Sequence, residues 1–140
     1  LSDFQVSIPE IGTVKAVTHP FVFLTSNNYR DMSDALKRRC IHLYIDYPSI
    51  DAEVDIVKLK LPGMDEKLLR KMVKMVARIR DLDVKKRPCI SETLDWAKSL
   101  VILQIEDLSP EIVSETLNTI CKHKSDYDVV RKNILKVVKD

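Results

Sequence analysis

The chain has 140 residues, of which 45% are apolar and 31% charged, enough for one ordinary domain or two small ones. Its 23 basic and 21 acidic residues leave a net charge of +2, which argues against a dedicated nucleic-acid binder because such proteins usually carry a clear basic excess. No apolar run approaches the roughly 18 residues that span a membrane, and no secretory signal is visible at the N-terminus.

Glycine is scarce, and this excludes the two common phosphate-binding loops. The chain contains only Gly12 and Gly63, and neither precedes a lysine. Both the GxxxxGK[ST] loop and the GxGxxG loop need glycines so that backbone N–H groups can approach the phosphates. We therefore expect no nucleotide-phosphate loop within these residues.

The N-terminal part carries four extended segments. Residues 6–8 and 14–17 flank a Pro-Glu-Ile-Gly turn and predict a hairpin. Residues 21–25 and 40–45 are continuous apolar runs, the pattern of strands buried on both faces of an α/β sheet.

Polar residues lie between those two runs. The first run ends in Asn27 and Asn28, at the edge where α/β sheets bind ligands. Ser33 predicts the cap of a short helix that ends in Arg38 and Arg39, whose planar guanidinium groups match phosphate or carboxylate oxygens. The alternatives are an asparagine turn and a solvated helix end.

The rest of the chain is predicted to be helical. We expect a last helix at 126–138 and three earlier ones: residues 51–61, residues 65–81 with an apolar stripe, and a helix capped by Ser91. A further helix begins at Ser109, with proline at its first position. We read 1–49 as α/β and 50–140 as helical, so the chain is mainly helical overall.

The cysteines and histidines give little support for a metal site. Cys40, Cys89 and Cys121 form no CxxC pair, and the two Cys-x-His pairs have no matching second pair of the kind that zinc sites use. We therefore expect free thiols, no metal and a reducing, cytoplasmic setting. The cluster Lys85-Lys86-Arg87 is read as a solvated loop.

Two stretches resemble a known family. Residues 23–40, FLTSNNYRDMSDALKRRC, and residues 88–97, PCISETLDWA, are similar to the C-terminal half of the core and to the lid of AAA+ ATPases of the MoxR-like branch. The resemblance implies an α/β core fragment (1–49) followed by an all-α lid of four or five helices (50–140).

The resemblance also implies roles for individual residues. Asn27 matches the sensor 1 residue that positions the attacking water, with Asn28 adjacent. Arg39 matches the arginine finger that reaches the neighbouring subunit's nucleotide, but many relatives carry Asp where Arg38 stands, so either arginine can be the finger. Ser91 occupies the sensor 2 position, where the family has arginine, and Arg87 or Lys86 is a possible substitute.

The Walker A and Walker B motifs of the family are absent from these residues. The resemblance therefore implies a fragment of an ATPase that binds ATP and Mg²⁺ only when intact and is inactive by itself. It also implies a hexameric ring, a protein client that is remodelled or matured, and a von Willebrand factor A protein as a possible partner. For the fragment we expect exposed strand edges, so that residues 1–49 are either poorly ordered, swapped between copies or paired strand to strand in a dimer. The alternative is a non-catalytic helical protein-interaction module.

Overall fold

A computed structural model describes residues 3–19, 21–26 and 32–139 of the chain. Two compact units are present, Leu1–Tyr44 and Ile45–Asp140. Within the described residues the fold is mainly helical, with seven α-helices and one sheet of two strands. The mainly helical fold class is thereby confirmed, whereas the assignment of residues 1–49 to an AAA+ core remains a prediction.

The hairpin predicted near the N-terminus is present. Strand β1 (Gln5–Ile8) pairs antiparallel with β2 (Gly12–Lys15), and Ile8 lies opposite Gly12 in the register. Gly12 has a φ of +85°, a backbone conformation that costs glycine little because it has no Cβ. Outside the turn, the Ser7 and Thr13 hydroxyls are 2.9 Å apart, so a side-chain hydrogen bond also joins the strands.

The two predicted buried strands are wrong for the described residues. Residues 21–26 and 41–49 form neither helix nor strand. Their apolar side chains are exposed: Phe21 is 95% exposed and Ile41 is fully exposed. An apolar run becomes a central strand only when neighbouring strands pair with both of its edges, and β1 and β2 pair only with each other in the described part of the chain. Between the two runs, α1 (Asp34–Lys37) is a single short turn of helix.

The second unit contains the larger part of the helical structure. Its α-helices among the described residues are α2 (Ile50–Lys60), α3 (Glu66–Arg80), α4 (Ile90–Ile102), α5 (Pro110–Thr116), α6 (Lys124–Lys132) and α7 (Ile134–Val138). A short 3₁₀ helix, Leu117–Thr119, follows α5. None of these described helices combines the length and the apolar character needed to cross a bilayer.

Side-chain caps explain where three of the helices begin. The carboxylate of Asp65 accepts the backbone N–H of Leu68 at 2.9 Å at the start of α3. Ser49 and Ser109 cap α2 and α5 in the same way, and Pro110 occupies the first position of α5, where its missing N–H costs nothing. The predicted start of α5 is confirmed, and those of α2 and α3 are correct to within one residue.

The helix starting near residue 90 is displaced from its prediction. Ser91 is not its cap, because α4 already begins at Ile90 with Cys89 as the N-cap residue. The Glu92 carboxylate reaches back and accepts the Cys89 backbone N–H at 3.1 Å. This bond satisfies an N–H group that would otherwise lack a partner, and the helix begins two residues earlier than predicted.

The single last helix predicted for 126–138 is also wrong. It is divided at Asn133, which has non-helical backbone angles and ends α6. The Asn133 side-chain amide donates to the Val129 carbonyl at 2.9 Å, while the Lys136 N–H donates to the Asn133 carbonyl and starts α7. An asparagine that binds nearby backbone competes with the helix, so the described part of the unit has six α-helices instead of four or five.

The core of the second unit is built around α3. Its buried face contains Met72, Val73 and Ile79, none of which is accessible to solvent, as the apolar stripe predicted. Trp96 of α4 is also fully buried, and its indole N–H donates to the Thr116 hydroxyl at 2.9 Å. The polar atom of the largest core side chain is therefore satisfied.

Candidate functional site

The two asparagines predicted to act at a strand end lie outside the described residues. Asn27 and Asn28 therefore remain predictions, and so does their placement relative to the arginines. The described chain resumes at Met32, just before α1.

The predicted arginine finger is on an exposed helix end. Arg38 is the C-cap residue of α1, and Arg39 follows it with its backbone N–H donated to the Leu36 carbonyl at 3.0 Å. Both side chains are exposed, and neither forms an ion pair with a described residue. Two guanidinium groups in this setting are available to an anion outside the chain.

The residues predicted to contact nucleotide from the lid lie on either side of the start of α4. Ser91 is in the first turn of α4, and Arg87 lies in the loop that precedes it. Both are exposed. The structure therefore brings these two residues to the same end of one helix.

A buried aspartate holds the loop that carries Arg87. The Asp126 carboxylate accepts the backbone N–H groups of Lys85 and Lys86 at 2.9 and 3.0 Å, and Asp126 is only 2% exposed. Burial by itself would raise the pKa of Asp126, but these N–H donors and the Ser125 hydroxyl stabilise the charged form, and the net effect lowers its pKa. The buried Asp126 carboxylate of α6 therefore anchors this loop to that helix.

A second carboxylate connects the same loop to α4. The Glu92 carboxylate accepts from the Cys89 thiol and backbone N–H and lies 3.0 Å from Lys86 Nζ. Burial opposes ionisation, but these donors outweigh it and lower the pKa of Glu92 to about 2. Lys86 is therefore neutralised locally, which leaves Lys85 and Arg87 as the exposed cations of the loop without an ion pair among the described residues.

Beneath the loop, α2 and α3 are joined by a buried ion pair. Arg80 Nη1 and Nη2 donate to the two Glu53 carboxylate oxygens at 2.6 and 2.7 Å. The Thr93 hydroxyl of α4 donates to the same carboxylate at 2.7 Å. Glu53 is 1% exposed and Arg80 7%, so both charges are withdrawn from water and compensate each other.

The remaining faces of the Arg80 guanidinium are also in contact. Its Nε donates to the Pro88 carbonyl at 2.8 Å, just before α4, and the guanidinium carbon lies 4.5 Å from the centre of the Tyr47 ring. Such stacking adds a cation–π interaction. Because every N–H-bearing nitrogen of Arg80 has an acceptor, this network positions α2, α3 and α4 and offers no free group for catalysis.

Sequence reasoning missed this network, although the sequence contained a signal for it. Glu53 lies four residues before Val57, and Arg80 lies four residues after Val76, so both occupy the apolar faces of their helices. A charge of each sign at core-facing positions of adjacent helices predicts a buried pair.

The described residues contain no group of three or more His, Cys, Asp or Glu side chains that could hold a metal ion.

The comparisons with protein-family models, with curated proteins and with solved structures found no significant match to this chain.

Proposed function

We propose that this chain supplies the sensor 1, arginine-finger and lid portions of a MoxR-like AAA+ ATPase that couples ATP hydrolysis to remodelling or maturation of a protein client. The observation that supports this best is the arrangement at the start of α4, where Arg87 and Ser91 are exposed at one helix end. Asp126 and Glu92 accept hydrogen bonds from the backbone of the loop before that helix and from its N-cap residue. A fixed loop with a free arginine suits contact with a nucleotide phosphate.

In this proposal each predicted residue acts on ATP bound with Mg²⁺ by the intact protein. Asn27, with Asn28 beside it, orients the attacking water. Arg39, or Arg38, reaches the γ-phosphate held by the neighbouring subunit and stabilises the charge that develops during transfer. Arg87 and Ser91 contact the nucleotide from the lid.

The proposed assembly is a ring, because a finger that acts on a neighbour's nucleotide needs that neighbour. A cytoplasmic hexamer that binds a protein client, with a von Willebrand factor A protein as a possible partner, is the arrangement that the resemblance implies. The exposed position of Arg38 and Arg39 at the end of α1 is compatible with a contact to another subunit.

The test is a comparison of two arginine variants in a protein that contains this chain together with a Walker A segment. We expect Arg39→Ala to lower the rate of ATP hydrolysis by about 10³-fold, the loss typical of a missing arginine finger. Binding of a fluorescent ATP analogue should change little. If Arg38 is the finger, Arg38→Ala shows this loss instead.

The matched control is Lys98→Ala, which removes an exposed cation in the second half of α4 that pairs at the surface with Asp95. It should leave hydrolysis unchanged. Normal turnover in both arginine variants would reject the finger assignment, and ATP hydrolysis by the purified 140-residue chain alone would contradict the proposal that the phosphate-binding parts lie elsewhere.

The second candidate is a non-catalytic module in which the helical unit binds a protein. The observation that favours it is that Glu53, Arg80 and Thr93 bond to one another and join three helices, so that this unit is held together by its own contacts. A nucleotide-independent interaction, together with no shift in melting temperature on adding ATP and Mg²⁺ to the longer protein, would favour the module over the ATPase.

A further inference from the structure

Helix α3 presents a concentrated positive charge on its exposed side. Apart from the buried Arg80, it contains five basic residues and one acidic residue, an excess larger than the +2 of the whole chain. A groove of about 290 Å³ runs along it and is lined only by cations: Lys67, Arg70, Lys71, Lys74, Arg78 and Lys139.

The groove is built from two parts of the chain. Five of its cations lie on one face of α3, and Lys139 follows α7. Arg78 joins the two parts, because its Nη1 donates to the Val137 carbonyl at 2.9 Å and also to the Lys139 carbonyl. The cation cluster therefore depends on a tertiary contact and is more than the polar side of one helix.

Only some of these cations are neutralised. Arg70 pairs with Asp51 at 2.6 Å and Lys71 with Asp107 at 2.7 Å. Lys67 and Lys74 have no ion pair with any residue in the described ranges. The groove thus has uncompensated positive charge at Lys67 and Lys74, and the exposed carboxylates of Asp51 and Asp107 lie beside it.

We propose that this groove binds a short acidic segment of a partner protein. From Lys67 to Arg78 the helix rises roughly 16 Å, the length of about five residues of extended chain. A segment of that length places alternate carboxylates against Lys67, Lys74 and Lys139. This inference goes beyond the proposed ATPase and does not depend on it, since it involves neither the arginines of α1 nor the start of α4.

The surroundings favour a short acidic segment over other anions. The lining has no aromatic side chain that could form a stacking platform for bases, and no aliphatic residue that could anchor a lipid. Asp51 and Asp107 stand beside the cations, so a long phosphate backbone that leaves the groove meets negative charge. A chain with a net charge of +2 also lacks the broad positive field that attracts nucleic acid.

The test measures binding of fluorescein-labelled octaglutamate to the 140-residue chain by fluorescence anisotropy, with octaglutamine as the uncharged probe. We expect octaglutamate alone to bind, with an affinity that falls as salt is added. The double variant Lys67→Glu/Lys74→Glu should weaken binding by at least about tenfold. Because both lysines are exposed and without an ion pair among the described residues, its melting temperature should stay close to that of the parent.

A charge-matched control and a competitor complete the experiment. Lys98→Glu/Lys122→Glu makes the same change in net charge outside the groove and should keep most of the binding. An equal loss in this control, or no octaglutamate binding, would overturn the proposal. A DNA duplex of about 20 base pairs is the competitor. If the duplex binds more tightly than octaglutamate and Lys67→Glu/Lys74→Glu abolishes that binding, the groove is a nucleic-acid site and the proposal is overturned. None of these results bears on ATP hydrolysis, so this proposal and the ATPase can fail separately.

Discussion

Glu53 and Arg80 face each other in the core of the helical unit through two parallel hydrogen bonds of 2.6 and 2.7 Å. They come from different helices and are 27 residues apart in the chain. Thr93, the Pro88 carbonyl and the Tyr47 ring complete their surroundings. A buried pair that is fully hydrogen-bonded costs little when intact and much when half of it is removed.

Removing the negative half of this pair should destabilise the fold. Glu53→Gln leaves the Arg80 charge buried without compensation, so we expect the free energy of unfolding to fall by about 3–5 kcal/mol. Urea denaturation followed by the fluorescence of Trp96 measures the change. Asp51→Asn is the matched control, because Asp51 pairs with Arg70 at the surface and its loss should cost at most about 1 kcal/mol. If both variants lost the same small amount of unfolding free energy, the buried pair would contribute no more to stability than the surface pair.

Stability should fall in acid partly because of Glu92. Its pKa is about 2 in the folded protein against 4.5 ordinarily, so its contribution is fully present above about pH 4.5 and is lost as the pH falls towards 2. The loss can reach the order of 3 kcal/mol, at about 1.4 kcal/mol for each pH unit of difference. Unfolding free energies of the parent and Glu92→Gln, measured across this range, should converge as the pH falls. A constant difference between them would contradict the lowered pKa.

Asp126 should control the order of the loop before α4. Asp126→Ala leaves the Lys85 and Lys86 N–H groups without their acceptor, so we expect a loss of about 2–4 kcal/mol in stability. Hydrogen exchange of these two amides should accelerate more than exchange within α3. The exposed neighbour Asp128→Ala is the control and should change stability by less than about 0.5 kcal/mol. Unchanged exchange at Lys85 and Lys86 would argue against this anchoring.

The cysteines should differ in reactivity. Burial raises the pKa of the Cys121 thiol to about 11, with a smaller contribution from the nearby Asp126 charge. Cys121 should therefore react more slowly with Ellman's reagent at about pH 8 than Cys89, whose thiol is exposed even though it donates to the Glu92 carboxylate. The double variant Cys40→Ser/Cys89→Ser removes the two more accessible thiols, so that the reaction of Cys121 is measured alone. Rapid modification of Cys121 in folded protein would contradict its burial.

Local signals in the sequence predicted much of the fold. A helix start at Pro110, the amphipathic pattern of α3 and the hairpin turn at Gly12 depend on residues close together in the chain, and the structure contains all three. Interactions that join distant residues were not predicted. The apolar run at 21–25 indicated a buried strand, but its sequence could not specify which strands would pair with it.

The same distinction applies to the candidate site. Ser91 was assigned to the start of a helix and Arg87 to the loop before it, and both lie beside the start of α4. The position of that start was wrong by two residues because Glu92, and not a serine, satisfies the first N–H. Asp126 was not recognised, since nothing near it in the chain indicates that a loop 40 residues earlier donates to it.

The stacking of Tyr47 on Arg80 has a practical consequence for dissecting the chain. Tyr47 lies three residues before the first residue of α2. A truncation that begins the chain at α2 would therefore remove the ring that contacts one face of the Arg80 guanidinium. An autonomous helical piece should therefore begin upstream of Tyr47, and trimming it back to Ser49 should lower its melting point even though no helix is shortened.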